Sequence, residues 1–77
     1  MQRFIYTHHA LKRMKRRGVS FDHIRATFRY PDRKRPGKLP RTFKLWKEIE
    51  DRTCFIVVEL KGDEVIVITT GWKAGSP

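Results

Sequence analysis

The sequence predicts an α+β domain: two N-terminal helices packed on one face of a small, mainly antiparallel sheet of three or four strands, in the order (β)ααβββ. Three observations predict it. Helix-type apolar spacing runs up to Pro31. Strand-type alternation begins at Thr42. The last two apolar segments, TCFIVVEL and EVIVITT, are hydrophobic on both faces, as central strands are.

Each element follows from local chemistry. Arg3-Phe4-Ile5-Tyr6 is short and apolar or aromatic, which suits an edge strand or an extended arm. Thr7 is a natural N-cap for a helix over His8 to Arg17. Gly18 ends that helix, and the Lys/Arg cluster before it suits the negative end of the helix dipole. Ala10 and Met14 are its core residues. Ser20 caps a second helix over Phe21 to Arg29, with Phe21, Ile24, Ala26 and Phe28 as its apolar stripe, and Pro31 ends it. Asp32 to Pro40 (DRKRPGKLP) reads as a mobile basic loop, because it has almost nothing apolar to bury. Thr42 to Glu50 alternates, with Phe43, Leu45 and Ile49 on one face and Lys44, Trp46 and Glu48 on the other. Glu50-Asp51-Arg52 turns the chain into a strand over Thr53 to Leu60. Lys61-Gly62-Asp63 forms a hairpin loop, and Glu64 to Thr70 is the last strand. At 77 residues the chain makes one domain, over 1–73, with 74–77 as a disordered tail.

Charge narrows the function. The formal charge is +10, and it is uneven. Met1 to Lys47 holds 15 Lys and Arg against Asp22 and Asp32, a balance of +13. Glu48 to Pro77 holds three basic residues against six acidic ones, a balance of −3. A field of this size attracts a polyanion, and RNA is the expected partner. It also destabilises the isolated fold by self-repulsion, so an acidic protein that neutralises it would stabilise the chain. Cys54 is the only cysteine, so neither a disulfide framework nor a cysteine-rich zinc site is available within one chain, and Cys54 reads as a small buried hydrophobe. No signal peptide or ~20-residue apolar span stands out. A cytoplasmic location, no membrane and no cofactor are the expectations.

The segment His9 to Val19 reads H-A-L-K-R-M-K-R-R-G-V. It resembles the H-A-x-x-R-M-x-x-R-G-[IV] signature of a small uncharacterised bacterial and archaeal domain family. The likeness continues through the second helix, the proline-containing basic loop and the final strand pair, about Phe4 to Trp72. That family is similar in topology to the RelE/ParE/BrnT toxins. The resemblance implies a RelE-like (β)ααβββ fold, an RNA-cleaving or growth-inhibiting activity in a toxin-antitoxin system, RNA as target (including RNA on the ribosome), and an acidic antitoxin partner.

The residue types agree with that chemistry. Metal-independent RNA cleavage needs a base for the 2′-hydroxyl, an acid for the leaving 5′-oxygen, and cations for the charge on the phosphorane. His9, Arg13 and Arg17 lie four apart in turn, on one helix face. His9 suits proton transfer near neutral pH, and the arginines suit bidentate phosphate contact. Lys12, Arg16, Arg33, Lys34, Arg35, Lys38, Lys44, Trp46 and Lys73 are the candidate nucleic-acid contacts. Trp46 either stacks a base or packs under a helix beneath Lys44. Glu59, isolated in an apolar strand, either pairs with an arginine or acts as a base; pairing is the more ordinary role of such a carboxylate. Thr70 sits beside Trp72 and Lys73 at the end of the last strand and is a further candidate. His8, His9 and His23 do not form a converging metal set. Two other readings compete: a non-catalytic nucleic-acid-binding module, and a basic protein neutralised by an acidic partner. His8 to Arg29 superficially resembles a helix-turn-helix, but Phe21, Ile24 and Phe28 give its second helix a buried character rather than a groove-reading one.

Overall fold

A computed structural model describes residues 2–73 of the chain. The tail expected over 74–77 lies outside the described residues. Strand β1 (Arg3–Tyr6) leads into helices α1 (His8–Arg17) and α2 (Phe21–Arg29). Strands β2 (Arg33–Pro36), β3 (Thr42–Ile49), β4 (Arg52–Lys61) and β5 (Glu64–Trp72) follow. The sheet has five strands in the order β1-β5-β4-β3-β2. Strands β2 to β5 are antiparallel neighbours, and β1 runs parallel to β5.

The sheet is therefore larger than expected, and mixed. The reason lies at its two edges. After β1 the chain passes through both helices and returns from the far end, so β1 meets the last strand rather than the next one. Arg33–Pro36 was expected to be loop because it carries no apolar residue. As an edge strand it buries nothing and satisfies its backbone against β3, with Pro36 at its end.

The helix caps form as the sequence predicts. Thr7 Oγ1 accepts the Ala10 N–H at 3.0 Å and donates to the Ile68 carbonyl at 2.9 Å, which ties the helix start to β5. Gly18 closes α1 at φ +70°. Ser20 Oγ accepts the His23 N–H, and His23 Nδ1 accepts the Ser20 N–H, both at 3.1 Å. A histidine thus performs the reciprocal half of a capping box that Glu or Gln usually performs.

One core cluster joins the layers. Ala10, Met14, Val19 and Ile24 meet Leu45, Cys54, Ile56, Val58, Val65 and Val67. The stripe of α2 is shifted from the expected one: Thr27, not Ala26, is fully buried, with its hydroxyl bonded to the His23 carbonyl at 2.8 Å, and Phe21 is 45 % exposed. The β3–β4 turn places Glu50 and Asp51 at positive φ, the backbone of a type I′ hairpin without glycine.

A bulge in β5 decides which residues face the helices. Val58 pairs with Val67, but Val57 pairs with Thr69, so Ile68 is the extra residue. Parity flips there: Val65 and Val67 are buried before it, Thr70 after it. Thr70, a candidate functional residue, is instead fully buried and donates its hydroxyl to the Phe55 carbonyl at 2.8 Å.

Two testable consequences follow from the backbone and the core. An alanine at Gly18 would meet no neighbouring atom, so Gly18→Ala is expected to cost about 1 kcal/mol in urea unfolding, purely from the left-handed backbone; an unchanged midpoint contradicts the cap. Burial raises the Cys54 thiol above its ordinary 9.0, opposed by hydrogen bonds to Thr27 and Thr70 and by the Arg52 charge. Burial also raises Tyr6 above its ordinary 10.0, opposed by the Arg25 charge. The unfolded tyrosine ionises at its ordinary value while the folded one stays protonated. Its contribution is present below that value and lost as pH rises through the folded one. The Tyr6 hydroxyl is buried without a partner among the described residues. Tyr6→Phe is therefore expected to match wild-type stability near neutral pH and to lose less of it between about pH 9 and pH 11. Parallel pH profiles for the two proteins contradict this.

Candidate nucleic-acid interface

The Thr7 cap fixes the phase of α1, and with it one stripe of side chains: His9, Arg13 and Arg17, at successive turns. His9 and Arg17 are exposed and Arg13 is half-buried. The Arg13 Nε is buried and has no hydrogen-bond partner among the described residues. A guanidinium N–H left in that state is a donor with unused capacity. Lys12 and Arg16 are exposed on the same helix. The Arg17 carbonyl accepts the Trp72 indole N–H at 2.9 Å, and the Arg52 guanidinium stacks over the Trp72 ring at 3.9 Å. Trp72 thereby pins the end of β5 to the end of α1. His23 completes this contact edge-on, 5.1 Å from Trp72.

A second cluster forms on the sheet. Cross-strand register sets Arg33 opposite Trp46, Arg35 opposite Lys44, and Trp46 opposite Phe55. Alternation turns this set away from Leu45, Cys54 and Ile56, which face the helices. Trp46 therefore does not pack under a helix. Three cations surround its ring: Lys44 at 5.2 Å, Arg33 at 5.4 Å and Arg35 at 5.9 Å from the centroid. Lys44 also lies 4.9 Å from the Phe55 ring. Phe55 in turn covers Gly71, where a Cβ would come within 3.0 Å of the ring. Each cation–aromatic contact of this kind is worth about 0.5–1 kcal/mol at an exposed site. Together they hold basic groups around an aromatic platform.

Lys73 joins this cluster at its lower end. Its N–H donates to the Thr53 carbonyl at 2.7 Å, continuing the β4–β5 ladder, and it lines a pocket with Arg33 and Trp46. Lys34 does not join it: its side chain lies on the other face, 4.5 Å from the Phe43 ring. Lys38 is exposed in the β2–β3 connection. The predicted residues thus divide into two groups. The α1 stripe belongs to the helical layer over β5, and the Trp46 cluster lies two strands along and on the opposite face of the sheet. Among the described residues no hydrogen bond or ring contact links the groups. Glu59 belongs to neither: the described ion pairs are Arg3–Glu64 and Asp22–Arg25, so the arginine pairing expected for it is not formed. Nor do the described residues include a group of three metal-ligating side chains, or a helix long and apolar enough to cross a membrane.

Sequence reasoning missed Phe55, and it missed the gathering of Arg33 and Arg35 onto Trp46. The alternation of β3 already put Trp46 and Lys44 on one face; reading RKRP as a strand would have supplied the rest.

A family model described as a domain of unknown function, DUF4258, matches residues 6–72. The chain belongs to the DUF4258 family. No curated protein and no solved structure matches it. The matched span of the DUF4258 domain runs from the end of β1 through Trp72, so it includes both groups of candidate residues except Lys73.

The two tryptophans have separate roles, and stability measurements distinguish them. Trp72→Phe removes the bond to the Arg17 carbonyl and is expected to cost about 1 kcal/mol. Trp46→Phe keeps a ring on the outer face of the sheet and is expected to stay within about 0.5 kcal/mol of wild type. The reverse order would assign Trp46 to the fold rather than to the surface.

Proposed function

We propose that this DUF4258 domain is a toxin of the RelE/BrnT kind that binds and cleaves RNA, and that it is held inactive by an acidic antitoxin. The observation that carries the binding half is Trp46 under three cations on the face of the sheet away from the helices. An aromatic face accepts a base by stacking, for about 1–3 kcal/mol, and the cations around it accept the phosphates on either side. Single-stranded RNA offers both groups at once, whereas a duplex hides its base faces. Lys12, Arg16 and Lys38 extend the basic surface, and the excess charge gives an acidic protein partner its attraction.

The cleavage half rests on the α1 stripe and on the resemblance of its motif. In this reading His9 exchanges the proton of the 2′-hydroxyl, while Arg13 and Arg17 stabilise the charge of the phosphorane. Arg13 is half-buried on this stripe, so a phosphate contact there would fall to its terminal guanidinium nitrogens rather than to the buried Nε. One observation favours the alternative of a binding module without catalysis: among the described residues, no side-chain hydrogen bond orients His9 as a catalytic base is usually oriented.

Expression of the chain alone, followed by mapping of RNA ends, tests the proposal. Wild type is expected to arrest growth and to generate new RNA ends. His9→Ala and Arg13→Ala are expected to abolish the ends while retaining salt-dependent RNA binding. Trp46→Ala is expected to weaken binding by about tenfold or more. Salt-dependent binding of intact RNA with no product in any variant establishes the binding module instead. No binding and no arrest overturns both.

A further inference from the structure

We infer that the pocket beside Trp46 reads one nucleobase, and that the base is guanine, selected by the Glu48 carboxylate. This rests on the RNA-binding reading above and goes beyond it, to sequence preference.

The pocket lies between the ends of β2, β3 and β4 and is lined in part by Asp32, Arg33, Trp46, Glu48, Thr53 and Lys73. At about 190 Å³ it is smaller than the ~300–1,000 Å³ of sites that enclose a drug-sized ligand, and it suits one ring system at a time. One wall is the indole, a stacking surface. Arg33 and Lys73 bring positive charge to the rim, where the phosphates of a stacked nucleotide would lie.

The acidic residues are what distinguish this pocket from a general polyanion surface. A carboxylate among cations repels a phosphate backbone, so it needs another role. Asp32 has one: its Oδ2 accepts the backbone N–H of Glu48 at 2.7 Å, which fixes the strand there. Glu48 has none. Its side chain is exposed, belongs to neither described ion pair, and stands two residues from Trp46 on the same strand face, opposite Thr53. An ionised carboxylate only accepts hydrogen bonds, through two parallel oxygens. Among the four bases, guanine alone offers two adjacent donors on its pairing edge, N1–H and the N2 amino group. Adenine and cytosine set an amino donor beside a ring acceptor, and uracil sets its N3–H between two carbonyl oxygens. Each of those places a lone pair against the carboxylate. Charge-assisted bidentate pairing therefore favours guanine, and Asp32 acts through Glu48 as a positioning residue.

Binding of 2′-O-methyl octamers, which lack the hydroxyl that cleavage needs, measures the preference without turnover. Four labelled octamers would be A-rich and differ only in a central G, A, C or U. By fluorescence anisotropy, the wild type is expected to bind the central-G octamer about tenfold more tightly than the others. Glu48→Gln, an exposed change that leaves the fold intact, is expected to bind all four within about twofold, with its affinity for the other three at least as high as wild type. Equal wild-type affinity for the four octamers overturns the inference and leaves RNA binding standing. A guanine preference retained in Glu48→Gln overturns the assignment to Glu48. No binding to any octamer overturns the RNA reading and the inference with it.

Discussion

Strand β4 carries apolar residues on both of its faces, and much of the fold follows from what that demands. Cys54, Ile56 and Val58 need the helices; Phe55 and Val57 need cover on the other side; and the backbone needs a partner on each edge. Tight turns on either side supply the partners, with Glu50-Asp51 delivering β3 and Gly62 delivering β5. The bulge at Ile68 then turns Thr70 inward and directs Trp72 to the helix ends, so β5 is tied to both ends of α1, by Thr7 at its start and by Trp72 at its end. Strands β1 and β2 complete the two edges.

A chain this short cannot cover both faces of a five-stranded sheet with helices. The helices take the face with Ile56 and Val58. The other face keeps Phe55 and Trp46, and it is here that β2 adds Arg33 and Arg35. Cations on an edge strand discourage pairing with further strands, and cations beside an aromatic ring attract nucleic acid. The same residues satisfy both conditions. The cost is electrostatic: with a charge of +10, the fold works against its own repulsion until an anion binds. In the proposed function that anion is RNA or an acidic antitoxin, and both stabilise the folded state by binding it.

Local chemistry made both helices legible, because Thr7, Gly18 and Ser20 are cap residues whose side chains or backbone freedom act within four residues. The three hydrophobic strands were legible from their periodicity. What escaped was non-local. Nothing in Arg3-Phe4-Ile5-Tyr6 states that its partner is β5, some sixty residues later, or that the pairing is parallel. Nothing apolar in RKRP marks a strand, because its reason for being one is the open edge of β3. The bulge was equally invisible, and with it the burial of Thr70. At the candidate site, the α1 stripe was readable from helical spacing. The convergence of Arg33, Arg35 and Lys44 on Trp46 needed cross-strand register, and so did the approach of Lys73 to Arg33.

In the proposed function Trp46 marks the RNA surface, while Trp72 belongs to the framework. The two indole N–H signals report on this separately in a heteronuclear NMR titration with single-stranded RNA. RNA stacked on Trp46 would give a large, saturable shift of the Trp46 indole signal, together with the backbone amides of β2 and β3, and little movement of the Trp72 signal, whose N–H is held by the Arg17 carbonyl. Shifts confined to Trp72 and α1, with Trp46 unmoved, would contradict it.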